Sequence, residues 1–335
     1  MMSTDARVYE KGRRSDQINV IECNKVISAI GKSGHKLAPQ MALSVLNDMI
    51  DLYKKGNKYI RADVFAYTSV INAYARRGDV DGASKVFKMQ VDDFKQSNNT
   101  DAQPNIRTYN TMMNAWAKSR RQDAVEAVEK LFVVVTKLYE RGELEEGPDV
   151  VTYSTLIDCW SKSRRKESPA KSLQYLKDME AMGIKPDVMT YNGVLDAHAK
   201  QGDVDGALNV LETMQGEAKP DRQSYSILLD AWAKSGRDEA PAEAMKLLMT
   251  IKDLHAAGEI DAPNVITFNT ALDAHAKQGD VDGTLKVFEM MQGEVKPELR
   301  SYSILIDAWA KSDRSESPAE AMKLLMTIKD LHAAG

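Results

Sequence analysis

The 335-residue sequence predicts an all-α solenoid, a stack of paired helices with no single central core. Three observations carry this. A phrase recurs along the chain: PDVVTYSTLIDCWSKS at 148–163, PDVMTYNGVLDAHAKQ at 186–201 and PNVITFNTALDAHAKQ at 263–278. Apolar residues keep helical spacing, and no alternating strand pattern occurs. Pro followed by Asp, Asn or Glu punctuates the repeats (Pro104, Pro148, Pro186, Pro220, Pro263, Pro297), and each Pro ends a helix just before the next one starts.

Counted from the residue after that dipeptide, the chain divides into eight units: 20–63, 64–105, 106–149, 150–187, 188–221, 222–264, 265–298 and 299–335, the last cut short. A segment of residues 1–19 precedes them. Residues 191–235 match 268–312 at a shift of 77, the mark of a duplicated block of one short and one long unit. This internal repeat overrides the two domains that length alone would suggest.

Each unit reads as two helices. In the first, position four is Tyr or Phe in seven units and Cys23 in the other. Position eight is apolar (Ile71, Ile157, Leu229, Ile306) and position eleven is bulky, so spacings of four and three place all three on one face. The second helix carries GALNVLETM in short units and AEAMKLLMTIKDLHAAG in long ones. The extra residues of long units fall between the helices and at the exit of the second. The first helices therefore keep a regular pitch.

Composition narrows the function. A hydrophobic content of 43% is ordinary for a folded soluble chain. No apolar run reaches the roughly 18 residues needed to span a membrane, so no membrane association is expected. The net charge of −4 excludes a uniformly basic nucleic-acid binder and leaves only local charge placement. Cys23 and Cys159 lie far apart in first helices and suit a reducing compartment. The start, MMSTDARVYEKGRRSDQ, lacks the apolar run of a secretory signal, and Asp5, Glu10 and Asp16 are foreign to a transit peptide. That leaves a cytosolic protein or one whose targeting segment is missing. Residues 302–335 nearly duplicate 225–258 and then stop inside a unit, as expected of a fragment.

Positions two, five, nine and thirteen of the first helix share a second face. Position five is Asn24, Thr68, Asn110, Ser154, Asn192, Ser226, Asn269 and Ser303. These are small hydrogen-bonding residues of mediocre helix propensity, and a side chain bonding back to its own backbone explains them less well than a shared inner surface does. The last residue of each unit is Asp63, Asn105, Asp149, Asp187, Asp221, Asn264 or Glu298, and capping of the following helix accounts for much of that choice. Position thirteen is Lys32, Arg76, Lys118, Lys162, Lys200, Lys234, Lys277 and Lys311. A helix C-terminus favours a cation by about 0.3–1 kcal/mol. A cation at every step, beside a small polar residue at every step, points instead to an evenly spaced polyanion: single-stranded RNA.

Through VVTYSTLID, VMTYNGVLDAHAKQGDVDGALNVLETM and the IKPD type of ending, residues 20–335 resemble the pentatricopeptide repeat family. The resemblance implies a right-handed α-solenoid, action in mitochondria or plastids on organellar transcripts, and one base bound per repeat, read 5′ to 3′ from the N-terminus. It implies that position five and the unit's last residue select the base jointly. An Asn amide offers a donor and an acceptor to a pyrimidine, and a shorter Ser or Thr hydroxyl leaves room for a purine. A terminal Asp accepts from guanine, whereas a terminal Asn complements adenine. Asn24 with Asp63 then gives U, Thr68 with Asn105 gives A, and Asn110 with Asp149 gives U. Ser154 with Asp187 gives G, Asn192 with Asp221 gives U, and Ser226 with Asn264 gives A. Asn269 with the atypical Glu298 gives a pyrimidine, and Ser303 gives a purine. The implied site is 5′-UAUGUAYR-3′.

The resemblance further implies that position two sandwiches the base and that position thirteen holds phosphate. Position two is apolar in Ile21, Phe65, Val151, Met189 and Ile266. It is Arg107 and Arg300 in two units, where the guanidinium plane can stack, and Gln223 in another, where the hold should be weak. Organellar RNA-processing or ribosomal proteins are the implied protein partners of a monomer.

Two other readings compete. A tetratricopeptide-type protein scaffold shares the paired helices, but its Trp, Leu-Gly and Tyr signature is missing; a structural subunit of an organellar ribonucleoprotein is compatible with RNA binding. An enzyme is not expected, nor a cofactor or metal. His198 and His275 stand where other units carry Trp116, Trp160, Trp232 and Trp309, so they read as packing residues. HExxH and paired CxxC motifs do not occur, and GKSG at 31–34 lacks the first Gly of a P-loop.

Overall fold

A computed structural model describes residues 19–312 and 314–334. The leader reading of the N-terminal segment falls on residues 1–18, outside the described ones. Among the described residues there are sixteen α-helices, one short 3-10 turn (Thr100–Ala102) and no strand. In chain order the pairs are α1 (Val20–Lys32) and α2 (Ala38–Lys54), α3 (Val64–Ala75) and α4 (Val80–Gln96), α5 (Ile106–Lys118) and α6 (Ala124–Glu140), and α7 (Val150–Ser163) and α8 (Ser168–Ala181). They continue as α9 (Val188–Lys200) and α10 (Val204–Glu217), α11 (Arg222–Ser235) and α12 (Ala240–Ala256), α13 (Val265–Lys277) and α14 (Val281–Glu294), and α15 (Leu299–Lys311) and α16 (Ser317–Ala334).

The chain forms two compact units that divide between Leu156 and Ile157, inside α7. In the first, α1 packs on α3 and α3 on α5, and each also packs on its own second helix. In the second, α9, α11, α13 and α15 follow the same scheme. This is the solenoid architecture read from the sequence. The cores follow the predicted face: Tyr67, Ile71, Tyr191 and Phe268 are almost wholly buried, against second-helix residues such as Val86, Met214, Leu248 and Met291. Each fully buried side chain of this size contributes about 1.5–3 kcal/mol.

Local chemistry fixes the helix starts. The residue closing a unit caps the next first helix: Asp63 Oδ1 accepts from the Ala66 backbone N–H at 2.8 Å, Asn105 Oδ1 from Thr108 at 3.1 Å, Asp221 Oδ1 from Ser224 at 2.8 Å and Asn264 Oδ1 from Thr267 at 3.0 Å. In the G-D-V-D-G units a second Asp caps the second helix as well, as Asp203 does toward the Gly206 N–H at 3.0 Å. Gly202 before it sits at φ 67°, a left-handed conformation that favours glycine.

That turn also houses the histidines. His198 and His275 are buried, with Nδ1 2.7 Å from Asp203 and Asp280, so both are packing residues among the described ones. Burial works to raise the Asp203 carboxyl, but the Gly206 N–H and His198 outweigh it and hold it below the usual carboxylate range. A Cβ on Gly206 would lie 2.1 Å from His198 Nδ1 and 2.5 Å from Asp203 Oδ2. Gly206→Ala is therefore expected to destabilise the fold by about 1–3 kcal/mol, the range for overpacking, as read by urea unfolding. Gly216→Ala, where a Cβ meets nothing within 4 Å, serves as the control.

Neighbouring pairs are clasped by an arginine that the sequence reading did not single out. Arg237, over the Trp232 ring at 5.9 Å, donates to both oxygens of Asp205 at 3.0 and 2.6 Å; Arg314 meets Asp282 in the same way, and Arg121 meets Asp81 at 3.1 Å. The guanidinium hydrogen bonds hold the Asp205 and Asp282 carboxyls below their ordinary range. Each clasp joins a G-D-V-D-G pair to the Trp-bearing pair that follows it.

Candidate nucleic-acid interface

The first helices present position two to solvent, from 48% exposure at Phe65 to 71% at Met189, with Ile21, Val151 and Ile266 between. Arg107, Gln223 and Arg300 are exposed as well. Exposed large apolar side chains at one register are unusual on a soluble surface. Position five lies deeper than the sequence suggested. Asn24, Asn110, Ser154, Asn192 and Asn269 are all buried to 9% exposure or less, Thr68 and Ser226 are half-buried, and Ser303 is exposed. The reason is the close approach of successive first helices: position five falls on their seam, and its amide is drawn to the cap of the next helix.

There the two expected selectors meet. Asn24 Nδ2 donates to both carboxylate oxygens of Asp63, at 3.1 and 3.0 Å. Asn110 Nδ2 donates to Asp149 at 2.9 Å and Asn192 Nδ2 to Asp221 at 3.3 Å. The Asp thus caps a helix with one oxygen and remains available to a neighbouring amide. The simpler reading of position five, a hydroxyl returning to its own backbone, holds for Ser226 and Ser303, which donate to the carbonyls of Arg222 and Leu299 at 2.8 and 2.9 Å. No hydrogen bond of this kind joins Ser226 to Asn264; Ser226 Oγ lies 3.0 Å from Thr267 Oγ1 instead.

At the first unit these positions enclose a groove of about 530 Å³, lined by Ile21, Asn24, Lys25, Ser28, Ala29, Lys32 and Phe65. It collects position two of consecutive units, together with positions five, nine and thirteen of the first. Its shape is a slot between two apolar side chains, with an amide at the floor and a cation at the rim. Asn24 Oδ1 is buried there without a hydrogen-bond partner.

Position thirteen departs from an unbroken ladder of free cations. Lys162, Lys277 and Lys311 pair with Asp158, Asp273 and Asp307 at 2.6, 2.7 and 2.7 Å, and Lys200 and Lys234 pair with Asp196 and Asp230. Each partner is position nine, one turn earlier, where a carboxylate and an ammonium meet on a helix. In the first three units position nine is Ser28, Asn72 and Asn114, which carry no charge. Lys32, Arg76 and Lys118 are exposed and lack that neutralising carboxylate.

Among the described residues, no group of His, Cys, Asp and Glu could hold a metal ion. No described helix is long and apolar enough to cross a membrane.

Comparison with known proteins agrees with the geometry. The profile of the PPR repeat family matches residues 148–200, 186–234 and 263–311, and that of the pentatricopeptide repeat domain matches 52–119. Together they take in more than half of the chain. A putative pentatricopeptide repeat-containing protein of Arabidopsis thaliana is 27% identical over 166 residues, covering 48% of this chain and 49% of the relative. A small ribosomal subunit protein of the same plant is 37% identical over 51 residues, 15% of this chain and 12% of that protein. The crystal structure of pentatricopeptide repeat protein PPR10 in complex with an 18-nt psaJ RNA element superposes with a TM-score of 0.72 at 23% identity, over 96% of this chain and 42% of the other. The chain thus spans half or less of the length of these relatives.

Proposed function

The chain belongs to the pentatricopeptide repeat family, and on that premise we propose that it binds single-stranded RNA in a sequence-specific manner, one base per repeat, in organellar RNA processing, stability or translation. The observation that carries the reading is the groove at the first unit. Ile21 and Phe65 flank a base, the Asn24–Asp63 pair meets its edge, and Lys32 meets its phosphate. The eight repeats begin at Val20, Val64, Ile106, Val150, Val188, Arg222, Val265 and Leu299, and the preferred site is 5′-UAUGUAYR-3′. Units one to three hold the backbone most firmly, because their cations are not already paired. The RNA-bound state of the structural neighbour supports this reading, and organellar placement follows the family. A subunit role in an organellar ribosome is the second reading, favoured by the 51-residue likeness to a ribosomal subunit protein.

The test is fluorescence anisotropy with the eight-base RNA and its single-base variants. The site is supported if each central mismatch weakens binding by a factor of about ten, near 1.4 kcal/mol, within the range for a stacked, hydrogen-bonded base. Equal binding to all variants would sink the base-per-repeat reading.

A further inference from the structure

We propose that the hydroxyl at position three of a unit sets how sharply the unit before it tells U from C, by holding the selector amide in one orientation. This rests on the reading of position five as a base selector. Thr152 Oγ1 donates to Asn110 Oδ1 at 2.7 Å, Ser224 Oγ to Asn192 Oδ1 at 2.7 Å and Ser301 Oγ to Asn269 Oδ1 at 2.7 Å. Thr152, Ser224 and Ser301 are themselves wholly buried. In the two pairs with a terminal Asp, the amide Nδ2 also donates to the carboxylate, Asn110 to Asp149 and Asn192 to Asp221.

The consequence follows from counting donors and acceptors. An amide has one acceptor oxygen and two N–H hydrogens. The hydroxyl is shared between the amide oxygen and the Asp carboxylate, Thr152 to Asp149 at 2.8 Å and Ser224 to Asp221 at 3.0 Å. Together with the carboxylate that takes one amide hydrogen, it holds the amide in one orientation, with its second N–H the donor left to meet a base. A fixed donor suits the O4 acceptor of uracil and opposes the N4 amino group of cytosine. A held amide therefore chooses U over C.

Asn24 is the exception. Position three of the following unit is Ala66, which offers no hydroxyl. Asn24 Nδ2 divides between the two oxygens of Asp63, while its Oδ1, on a side chain only 8% exposed, has no partner. A buried acceptor without a donor is costly, and it stands ready for a donor on the ligand. The Asn24 amide is held from its nitrogen end alone, and its open acceptor can meet a donor on either pyrimidine. This relaxes the first base of the proposed site from U to a pyrimidine read with little distinction between U and C, while bases three and five stay U.

Thr152 and Ser224 are positioning residues, and the test reads one base at a time. RNAs differing only in U or C at base one or base five are titrated against the full chain and against Ser224→Ala, Ser224→Thr and Ala66→Ser. The unaltered protein should prefer U about tenfold at base five and about equally at base one. In Ser224→Ala the U/C ratio at base five should fall toward unity with the ratio at base one unchanged, and Ser224→Thr should retain it. Ala66→Ser should create a U preference at base one. Ser224 also accepts from the Asp221 N–H at 3.1 Å, so circular dichroism checks folding, and the gain in Ala66→Ser does not depend on it. Uniform weakening of both RNAs by Ser224→Ala, or an unmoved ratio in Ala66→Ser, would overturn the proposal. Absence of any base preference in the unaltered protein would overturn the underlying function and this inference with it.

Discussion

Replacing Lys32, Arg76 and Lys118 together by Gln should weaken RNA binding on the order of a hundredfold at moderate salt and flatten its salt dependence. The three cations lack the position-nine carboxylate that neutralises their counterparts in units four to eight. A cation that replaces a phosphate counterion releases it, which contributes about 0.7 to the log–log salt slope for single strands. Losing three should lower the slope by about two. The opposite change belongs to the other units. Asp196→Asn, Asp230→Asn and Asp273→Asn together free Lys200, Lys234 and Lys277, and should strengthen binding and steepen the slope by about two. Because phosphates carry no base information, both sets should act alike on matched and mismatched RNA. Anisotropy titrations across a salt series read this. Unchanged slopes in both variants would mean that position thirteen does not meet the backbone.

Much of this was legible in the sequence because a repeat states each rule several times. The Tyr or Phe at position four and the Ile or Leu at position eight mark the buried face, and Pro with Asp or Asn marks each boundary; helices start where those signals stand. The Lys–Asp pairs were legible too, since Asp158, Asp196, Asp230, Asp273 and Asp307 each precede a lysine by four residues. Reading position thirteen alone missed that five of its eight cations are neutralised. The burial of Asn110 and Asn192 was not legible, because it depends on how closely one first helix approaches the next. The same holds for Thr152 and Ser224. In one chain segment each is an ordinary N3 residue of a cap, and only stacking brings it against the amide of the preceding unit. The Arg237–Asp205 clasp likewise joins residues that no local pattern relates.

Asn264→Asp tests the central claim most directly. On the proposed reading, Ser226 leaves room for a purine and Asn264 at the unit boundary complements adenine. An Asp there accepts from the N1–H and amino group of guanine instead. Asp is also an excellent N-cap, and Asn264 already accepts from the Thr267 N–H at 3.0 Å, so the fold should be undisturbed. The measurement is the ratio of affinities for RNAs carrying A or G at base six, with every other base fixed. The account predicts that preference moves from A to G by a factor of about ten in each direction, the equivalent of about 1.4 kcal/mol, at that base alone. A preference that stays with A, or that shifts at bases five or seven as well, would contradict the reading of one base by one pair of residues.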